Sequence, residues 1–161
     1  MKIIEILGDD REPEYTKIVE GCRGILIRGG KILLSYEKKV DQYLIPGGGH
    51  EQGETLKECC ERELREEAGI RVDAHTHFLA LEEYYHNFYF KSNYFLCGYL
   101  GECECALTDE EKSNELVPVW IDFDKALKIF GEYEKYKETN EMRYGAYYRE
   151  FVALTEVKKL D

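Results

Sequence analysis

The stretch GGHEQGETLKECCERELREEAGI, residues 48–70, carries the strongest structural signal in the chain. It begins in a glycine-rich loop, and glycines let the backbone approach a ligand closely. Thr55 followed three residues later by Glu58 is typical of a capping box, which begins a helix. Gly69 is the kind of residue that ends one. The pattern therefore predicts a glycine-rich loop followed by a helix over residues 55–68.

Three glutamates share one side of this predicted helix. At about 100° per residue, Glu63, Glu66 and Glu67 fall within roughly one third of the circumference. Apolar residues lie on the same arc, so the acids border the buried face, where their mutual repulsion is less screened than in water. Hard divalent cations such as Mg²⁺ bind oxygen ligands and would relieve that repulsion. The alternative at this point is a solvated glutamate-rich helix.

The neighbouring residues favour a ligand site over a solvated helix. Glu54 lies just before the helix, where a carboxylate can bond to loop amides and hold the turn. Arg62 can reach Glu58 and Glu66 on adjacent turns, and could orient a ligating carboxylate without touching substrate. The loop and the helix are therefore predicted to form one rigid unit.

The spacing of these residues resembles a known signature. Gly48 is followed by five residues, Glu54, seven further residues, and then the run RELREEAGI over residues 62–70. This matches the Nudix box at every specified position, and a chance match is rarer than about one in 10⁵ at this composition. The preceding segment LIPGG, residues 44–48, resembles the usual approach to the box. The chain is identified as a member of the Nudix hydrolase family.

The resemblance implies an α/β fold, an α/β/α sandwich with a mixed sheet, and a pyrophosphohydrolase that uses Mg²⁺ or Mn²⁺. By motif position, Glu63, Glu66 and Glu67 resemble the metal ligands, and one such glutamate serves as catalytic base in some members. The carbonyl of Gly47 matches a backbone ligand of some members. Metal ions that bridge pyrophosphate oxygens neutralise developing charge and activate water, which fits these residues.

Other roles follow from the same resemblance. Arg62, Glu54 and Gly48 correspond to the structural braces of the site. Many members also use a glutamate outside the box, on a loop after the long strands. Glu115 is the first candidate for this catalytic role and Glu83 the second, although Glu115 could equally be one more exposed acid.

The sequence is less informative about the substrate. Arg23 could contact a phosphate, although a surface arginine is as good an interpretation. Tyr85, in an aromatic stretch over residues 84–89, could stack on a base; most of this stretch is expected in the core or on a sheet face. The proline that some ADP-ribose-hydrolysing members place after the box is absent, and Tyr85 stands there. No subfamily is assigned.

Composition limits the remaining possibilities. A length of 161 residues fits a single domain over residues 1–161. A net charge of −11 disfavours long nucleic acid, and no apolar run approaches the roughly 20 residues that span a bilayer. With no secretory signal, the six cysteines predict reduced thiols in a cytoplasm. We expect a small phosphorylated nucleotide-type substrate as partner, and leave a homodimer open.

Periodicity outlines the rest of the fold. A long antiparallel pair is predicted over residues 78–90 and 94–100, separated by Lys91-Ser92-Asn93. The other expected strands lie at Lys2–Leu7, 15–19, 22–27, 31–35, 43–45 and 117–121, and the other helices at 122–130 and 140–159.

Two other functions compete with hydrolysis. A nucleotide-sensing module on the Nudix fold often loses box glutamates, and this chain retains them all. An isoprenoid diphosphate isomerase would need a catalytic cysteine, for which Cys22 or Cys97 would be the candidates.

Overall fold

The computed structural model describes residues 1–7, 17–85 and 88–160. The predicted strand at 15–19 therefore lies partly outside the described residues. In chain order the elements are β1 (Lys2–Leu7), β2 (Lys17–Arg28), β3 (Lys31–Glu37), β4 (Gln42–Leu44), β5 (Gly47–Gly49), α1 (Leu56–Ala68), β6 (Ile70–Tyr85), β7 (Phe88–Glu102), α2 (Asp109–Ser113), β8 (Leu116–Asp122), α3 (Phe123–Gly131), a 3₁₀ helix (Tyr133–Tyr136) and α4 (Glu141–Lys158).

Helix α1 is bounded as the sequence predicts. The Thr55 side chain accepts a hydrogen bond from the backbone N–H of Glu58, and the Glu58 carboxylate accepts one from the backbone N–H of Thr55. Gly69 ends the helix in the left-handed conformation, with φ of 67°. Both predicted signals are confirmed, because each acts through hydrogen bonds within a few residues.

The long antiparallel pair is confirmed, but its predicted break is wrong. Lys91, Ser92 and Asn93 lie inside β7, where Asn93 is fully buried between strands. Its Nδ2 donates to Glu20 Oε1 and to the Gly21 carbonyl, at 3.0 and 3.2 Å. Because its side-chain N–H groups find acceptors on the neighbouring strand, this polar residue does not interrupt β7, and cross-strand context outweighs intrinsic propensity.

The sheet is mixed, in the order β1-β6-β7-β2-β3-β4, with β5 pairing with β2 and β8 with β3. Strands β1 and β6 run parallel, as do β2 and β7, while the remaining pairs are antiparallel. The neighbours Ile25 and Leu26 of β2 face opposite sides, because successive side chains of a strand alternate. Each belongs to a different hydrophobic cluster.

Helices cover both faces of this sheet. On one face α1 packs through Cys60 and Leu64 against β2, and a Cβ added at Gly24 would lie only 2.7 Å from Leu64 Cδ1. On the other face α3 and α4 pack through residues such as Phe130 and Leu154. The predicted α/β/α arrangement with a mixed sheet is therefore confirmed.

All six cysteines are free thiols. The sulfur atoms of Cys60 and Cys97 lie 3.9 Å apart beneath α1. Within residues 1–7, 17–85 and 88–160, no helix is both long and apolar enough to cross a membrane.

Candidate active site

The carboxylates of α1 lie along the edge of the helix that faces β5. Glu67 is buried, with 6% of the residue exposed, while the side chains of Glu63 and Glu66 are 14% and 39% exposed. This gradient is the one expected for acids at the border of a buried face. It places three carboxylates beside the glycine-rich strand that precedes the helix.

Arg62 holds two of these acids and the loop together. Its Nε and Nη2 each donate to one oxygen of Glu54 at 2.9 Å, and Nη2 also donates to the carbonyl of Gly49. Its Nη1 donates to Glu63 and Glu66 at 2.9 and 3.1 Å. The predicted contact with Glu66 is therefore found, whereas Glu58 is occupied with the helix cap. A guanidinium used on both edges fixes its partners in orientation.

Glycines let β5 lie between β2 and α1. A Cβ added at Gly48 would lie 2.5 Å from the carboxyl carbon of Glu63, and one at Gly47 would lie 2.2 Å from the carbonyl oxygen of Cys22. Real Cβ atoms do not tolerate such distances, so any larger residue would displace the strand or the carboxylate. The site therefore requires glycine at both positions for close approach.

Glu67 sits in an unusual environment for an acid. Burial raises its pKa to about 7, an effect partly offset by the Ser35 hydroxyl, the Arg23 guanidinium and the Gly47 N–H. That N–H donates to Glu67 Oε2 at 3.1 Å. Burial also raises the pKa of Glu63, despite the opposing contact with Arg62. The hydrogen bonds and charges that the protein offers these two carboxylates are therefore too few to offset the effect of burial on their pKa.

The segment that leads into β5 is held from the other face of the sheet. The N–H of Ile45 donates to Glu150 Oε2 of α4 at 2.5 Å, and the Ile45 carbonyl accepts from Arg23 Nη1 at 2.6 Å. The next carbonyl, that of Pro46, accepts from the N–H of Gly24. Three consecutive backbone groups are thus fixed immediately before Gly47.

An open cavity of about 180 Å³ lies against Glu67. Helix α2 contributes acids to its wall that sequence reasoning missed. The residues that line the cavity are Arg23, Glu37, Leu44, Gly47, Glu67, Glu110, Glu111, Asn114 and Leu116. Glu67 and Glu111 both line this cavity, and the negative charge of Glu111 contributes to the raised pKa of Glu63 and of Glu67. The missed signal is Thr108 with Glu111, a second capping box that opens α2.

The other expected residues lie elsewhere. Glu115 is exposed, adopts a φ of 55° in the turn before β8, and does not line this cavity. Glu83 is buried beneath the opposite face, with Oε1 3.5 Å from Arg149 Nη1. The backbone of Tyr85 ends β6, and its side chain lies outside the described part of the structure. Arg23 borders the cavity as expected for a phosphate contact.

The donor chemistry of this site, more than the present arrangement of its side chains, suits a metal ion. Among the described residues, no three acidic, histidine or cysteine side chains already surround one position. The box carboxylates are instead directed toward Arg62 and the Gly47 N–H. Their donor chemistry, carboxylate oxygen throughout, nevertheless suits a hard divalent cation. By motif position, Glu63, Glu66 and Glu67 are the candidates to hold such an ion.

The cysteines expected of an isomerase are poorly placed. Cys22 is fully buried, and its contact with Cys59 together with burial raises the pKa of its thiol well above the ordinary value. Cys97 contacts Cys60 under α1, on the face of the sheet away from α4. A nucleophilic cysteine needs an accessible thiolate, which neither position favours.

Comparison with known proteins establishes the family. The model of the NUDIX domain matches residues 21–142, about three quarters of the chain. The chain belongs to the NUDIX domain family, which confirms the predicted family and, with it, the prediction of a Nudix enzyme. Members of this family generally use divalent metals. No curated protein matches the sequence.

Solved structures share the fold at low identity. A NUDIX hydrolase from Nitrosomonas europaea is 16% identical with a TM-score of 0.59, the alignment covering 81% of this chain and 88% of that one. An ADP-ribose pyrophosphatase from Streptococcus suis is 22% identical, with a TM-score of 0.52 and coverage of 66% and 75%. A MutT NUDIX hydrolase from Burkholderia pseudomallei is 22% identical, with a TM-score of 0.54 and coverage of 66% and 84%.

Proposed function

We propose that this protein hydrolyses a pyrophosphate bond in a nucleoside diphosphate derivative, such as a nucleotide sugar, a dinucleotide or a non-standard nucleoside triphosphate, with Mg²⁺ or Mn²⁺ as cofactor. The observation that supports it most is that Glu67 of the Nudix box and Glu111 of α2 line one open cavity, while Arg62 holds the neighbouring acids Glu63 and Glu66. The neighbours that are named as an ADP-ribose pyrophosphatase and a UDP-X diphosphatase make such substrates reasonable first tests.

The chemistry follows from the residues around that cavity. Glu63, Glu66 and Glu67 would hold the cation, which supplies Lewis acidity and lowers the pKa of bound water. The Gly47 carbonyl stays a candidate ligand from the sequence. Arg23 would donate to a phosphate oxygen and orient the linkage. Water attacks one phosphorus, the bond from that phosphorus to the bridging oxygen breaks, and the other phosphate leaves with the electron pair.

The proton of the attacking water goes to a carboxylate, which we place outside the three metal ligands. We propose Glu111 for this role in place of Glu115, because Glu111 lines the cavity and Glu115 does not. Arg62 and Glu54, with Gly48, would keep the ligands in orientation without contacting substrate. Replacing residues that orient metal ligands usually lowers metal affinity or activity by about 10–100-fold.

The test is turnover of a panel of nucleoside diphosphate derivatives with Mg²⁺ or Mn²⁺, followed by analysis of phosphate-containing products. We expect Glu67→Gln to lower kcat/KM by about 10²–10³-fold, since the cation contributes several kcal/mol and each 1.36 kcal/mol is tenfold. Failure of the intact protein to cleave any diphosphate would overturn the hydrolase proposal. Full activity in Glu67→Gln would overturn the metal-site assignment alone.

Glu111 and Glu115 form a matched pair for the remaining role. We expect Glu111→Gln to lower kcat by about 10²-fold, within the range for a positioned general base. Glu115→Gln removes the same charge four residues away and is expected to retain activity. The reverse result would return the role to Glu115.

Two further expectations belong with this proposal. The free thiols fit a reducing compartment, and we place the protein in a cytoplasm. The sensing-module alternative predicts nucleotide binding without turnover, so the same panel separates it from hydrolysis. The open question of a homodimer can be answered by light scattering on the same preparation.

A further inference from the structure

A second cavity, of about 130 Å³, adjoins the first. Arg23 belongs to the walls of both, and the glycines of β5 form the ridge between them. The residues that line it are Val19, Gly21, Cys22, Arg23, Gly48, Gly49, Phe90, Lys91, Ser92 and Arg149. The two cavities therefore lie on either side of the place where the cleaved linkage would sit.

The two walls carry opposite charge. The first cavity includes four glutamates, at 37, 67, 110 and 111. Among the described residues that line the second, none is acidic and three are basic: Arg23, Lys91 and Arg149. The chain has a net charge of −11, so its composition alone does not predict a cavity wall with three cations and no acid.

The acids that accompany these cations do not reach the cavity wall. Arg149 Nε lies 3.4 Å from Glu150 Oε1, and its Nη1 lies 3.5 Å from Glu83 Oε1. Lys91 Nζ lies 3.9 Å from Glu82 Oε1. Hydrogen bonds between ionised partners are normally about 2.7–2.9 Å long, so these acids offset the charge without saturating the donors.

Within the described residues, Arg149 has a guanidinium nitrogen available for a further hydrogen bond. Its Nη2 makes no hydrogen bond within the described residues, although only 12% of the side chain is exposed. Within the described residues, that nitrogen is therefore available to an oxygen acceptor in the cavity. Phe90 adds an apolar surface to the same cavity. A group that offers both oxygen acceptors and a carbon skeleton would satisfy this wall.

We propose that the second cavity binds the part of the substrate beyond the cleaved linkage, and that it selects substrates in which this part carries an additional anionic group, a carboxylate or a phosphate. Lys91 and Arg149 are the residues that recognise this group. The inference rests on the proposed pyrophosphohydrolase function and specifies its substrate class.

The test compares substrates that differ only in such a group. Suitable pairs are UDP-glucose with UDP-glucuronate, ADP-ribose with its 2′-phosphate, and NADH with NADPH, each assayed for kcat/KM with Mg²⁺. We expect the anionic member of at least one pair to be preferred by about tenfold or more, as for one hydrogen bond to a charged group. Lys91→Gln should bring that preference toward unity while changing the neutral member by less than about twofold.

Lys128→Gln is the matched control, because Lys128 is an exposed lysine of α3 that lines neither cavity. It removes the same charge and should leave the preference intact. Arg149→Lys, which keeps the charge but loses the planar guanidinium, should weaken the preference in the same direction as Lys91→Gln.

Several results would overturn the inference while leaving hydrolysis established. One is turnover with no preference for the anionic member in any pair. Another is an equal loss of kcat/KM for both substrates of a pair in Lys91→Gln, which would mean that this cation contacts the pyrophosphate itself. Absence of turnover for every diphosphate in the panel would instead reject the proposed function.

Discussion

Two buried glutamates on opposite faces of the sheet, Glu150 and Glu67, differ in the hydrogen bonds that they accept from the protein. Glu150 is fully buried on α4, yet it accepts from the N–H of Ile45 and the hydroxyl of Tyr94 at 2.5 Å each. Arg149 lies 3.4 Å from it as a counter-charge. Glu67 on α1 receives a single backbone donor, from Gly47, at 3.1 Å.

This difference separates a structural acid from a functional one. A buried carboxylate whose oxygens are satisfied by its own protein contributes to the fold, and its removal leaves donors without acceptors. A buried carboxylate with few donors has a raised pKa and gains stability when a cation binds, which makes it a candidate for function. Glu150 fixes the segment before Gly47, and Glu67, at the end of that segment, is the proposed ligand of a cation.

The largest effect on stability is expected from Glu150→Leu. The change leaves the N–H of Ile45 and the hydroxyl of Tyr94 without an acceptor and removes one of the two acids beside Arg149. We expect a loss of about 3–5 kcal/mol in the free energy of unfolding, measured by urea denaturation. Glu150→Gln, which keeps one acceptor oxygen, should lose clearly less. Equal losses in the two variants would contradict the role assigned to the hydrogen bonds.

The next effect concerns metal binding to the folded protein. At a Mg²⁺ concentration 100 times the dissociation constant, we expect the free energy of unfolding to rise by about 2.7 kcal/mol. In Glu67→Gln this gain should largely disappear, while the metal-free stability should change by less than about 1 kcal/mol, because Gln keeps an acceptor for the Gly47 N–H. A large metal-free loss in Glu67→Gln would place Glu67 in the same class as Glu150.

A smaller effect is expected from Glu54, another acid satisfied by its own protein. The two hydrogen bonds from Arg62 lower the pKa of Glu54 to about 2 in the folded protein. Because the folded pKa is lowered, this contribution is complete above the unfolded pKa, near 4.5, and is lost as pH falls toward 2. We expect the difference in free energy of unfolding between wild type and Glu54→Gln to shrink by about 1–2 kcal/mol over that pH range. A difference in free energy of unfolding that does not change with pH would contradict the contribution of this ion pair.

Much of the site could be predicted from the sequence because its parts are local. The capping box, the left-handed glycine and the common arc of three acids depend on contacts within four or five residues. Arg62 was correctly expected to contact Glu66. Its contact with Glu54 comes from the path of the loop before the helix, which the helix periodicity does not describe.

The errors come from contacts between distant residues. The break predicted at Lys91-Ser92-Asn93 failed because Asn93 finds acceptors on β2, a strand far away in the sequence. Glu115 was chosen as a glutamate on a loop after the long strands, and it does not line the cavity. Glu111 does line it, from a five-residue helix with no apolar periodicity to reveal it, and the catalytic role of either residue stays a prediction.

By itself the sequence determined the helix, its boundaries, the family and the kind of ligand that its acids suit, because hydrogen bonds and side-chain periodicity over one helical turn encode them. Only the tertiary structure decided that Glu111 faces Glu67, that Glu150 anchors the Ile45 peptide from the opposite face, and that Lys91 and Arg149 share a second cavity. These groups come from separate elements, and their distances depend on strand register and on the packing of helices against both faces of the sheet.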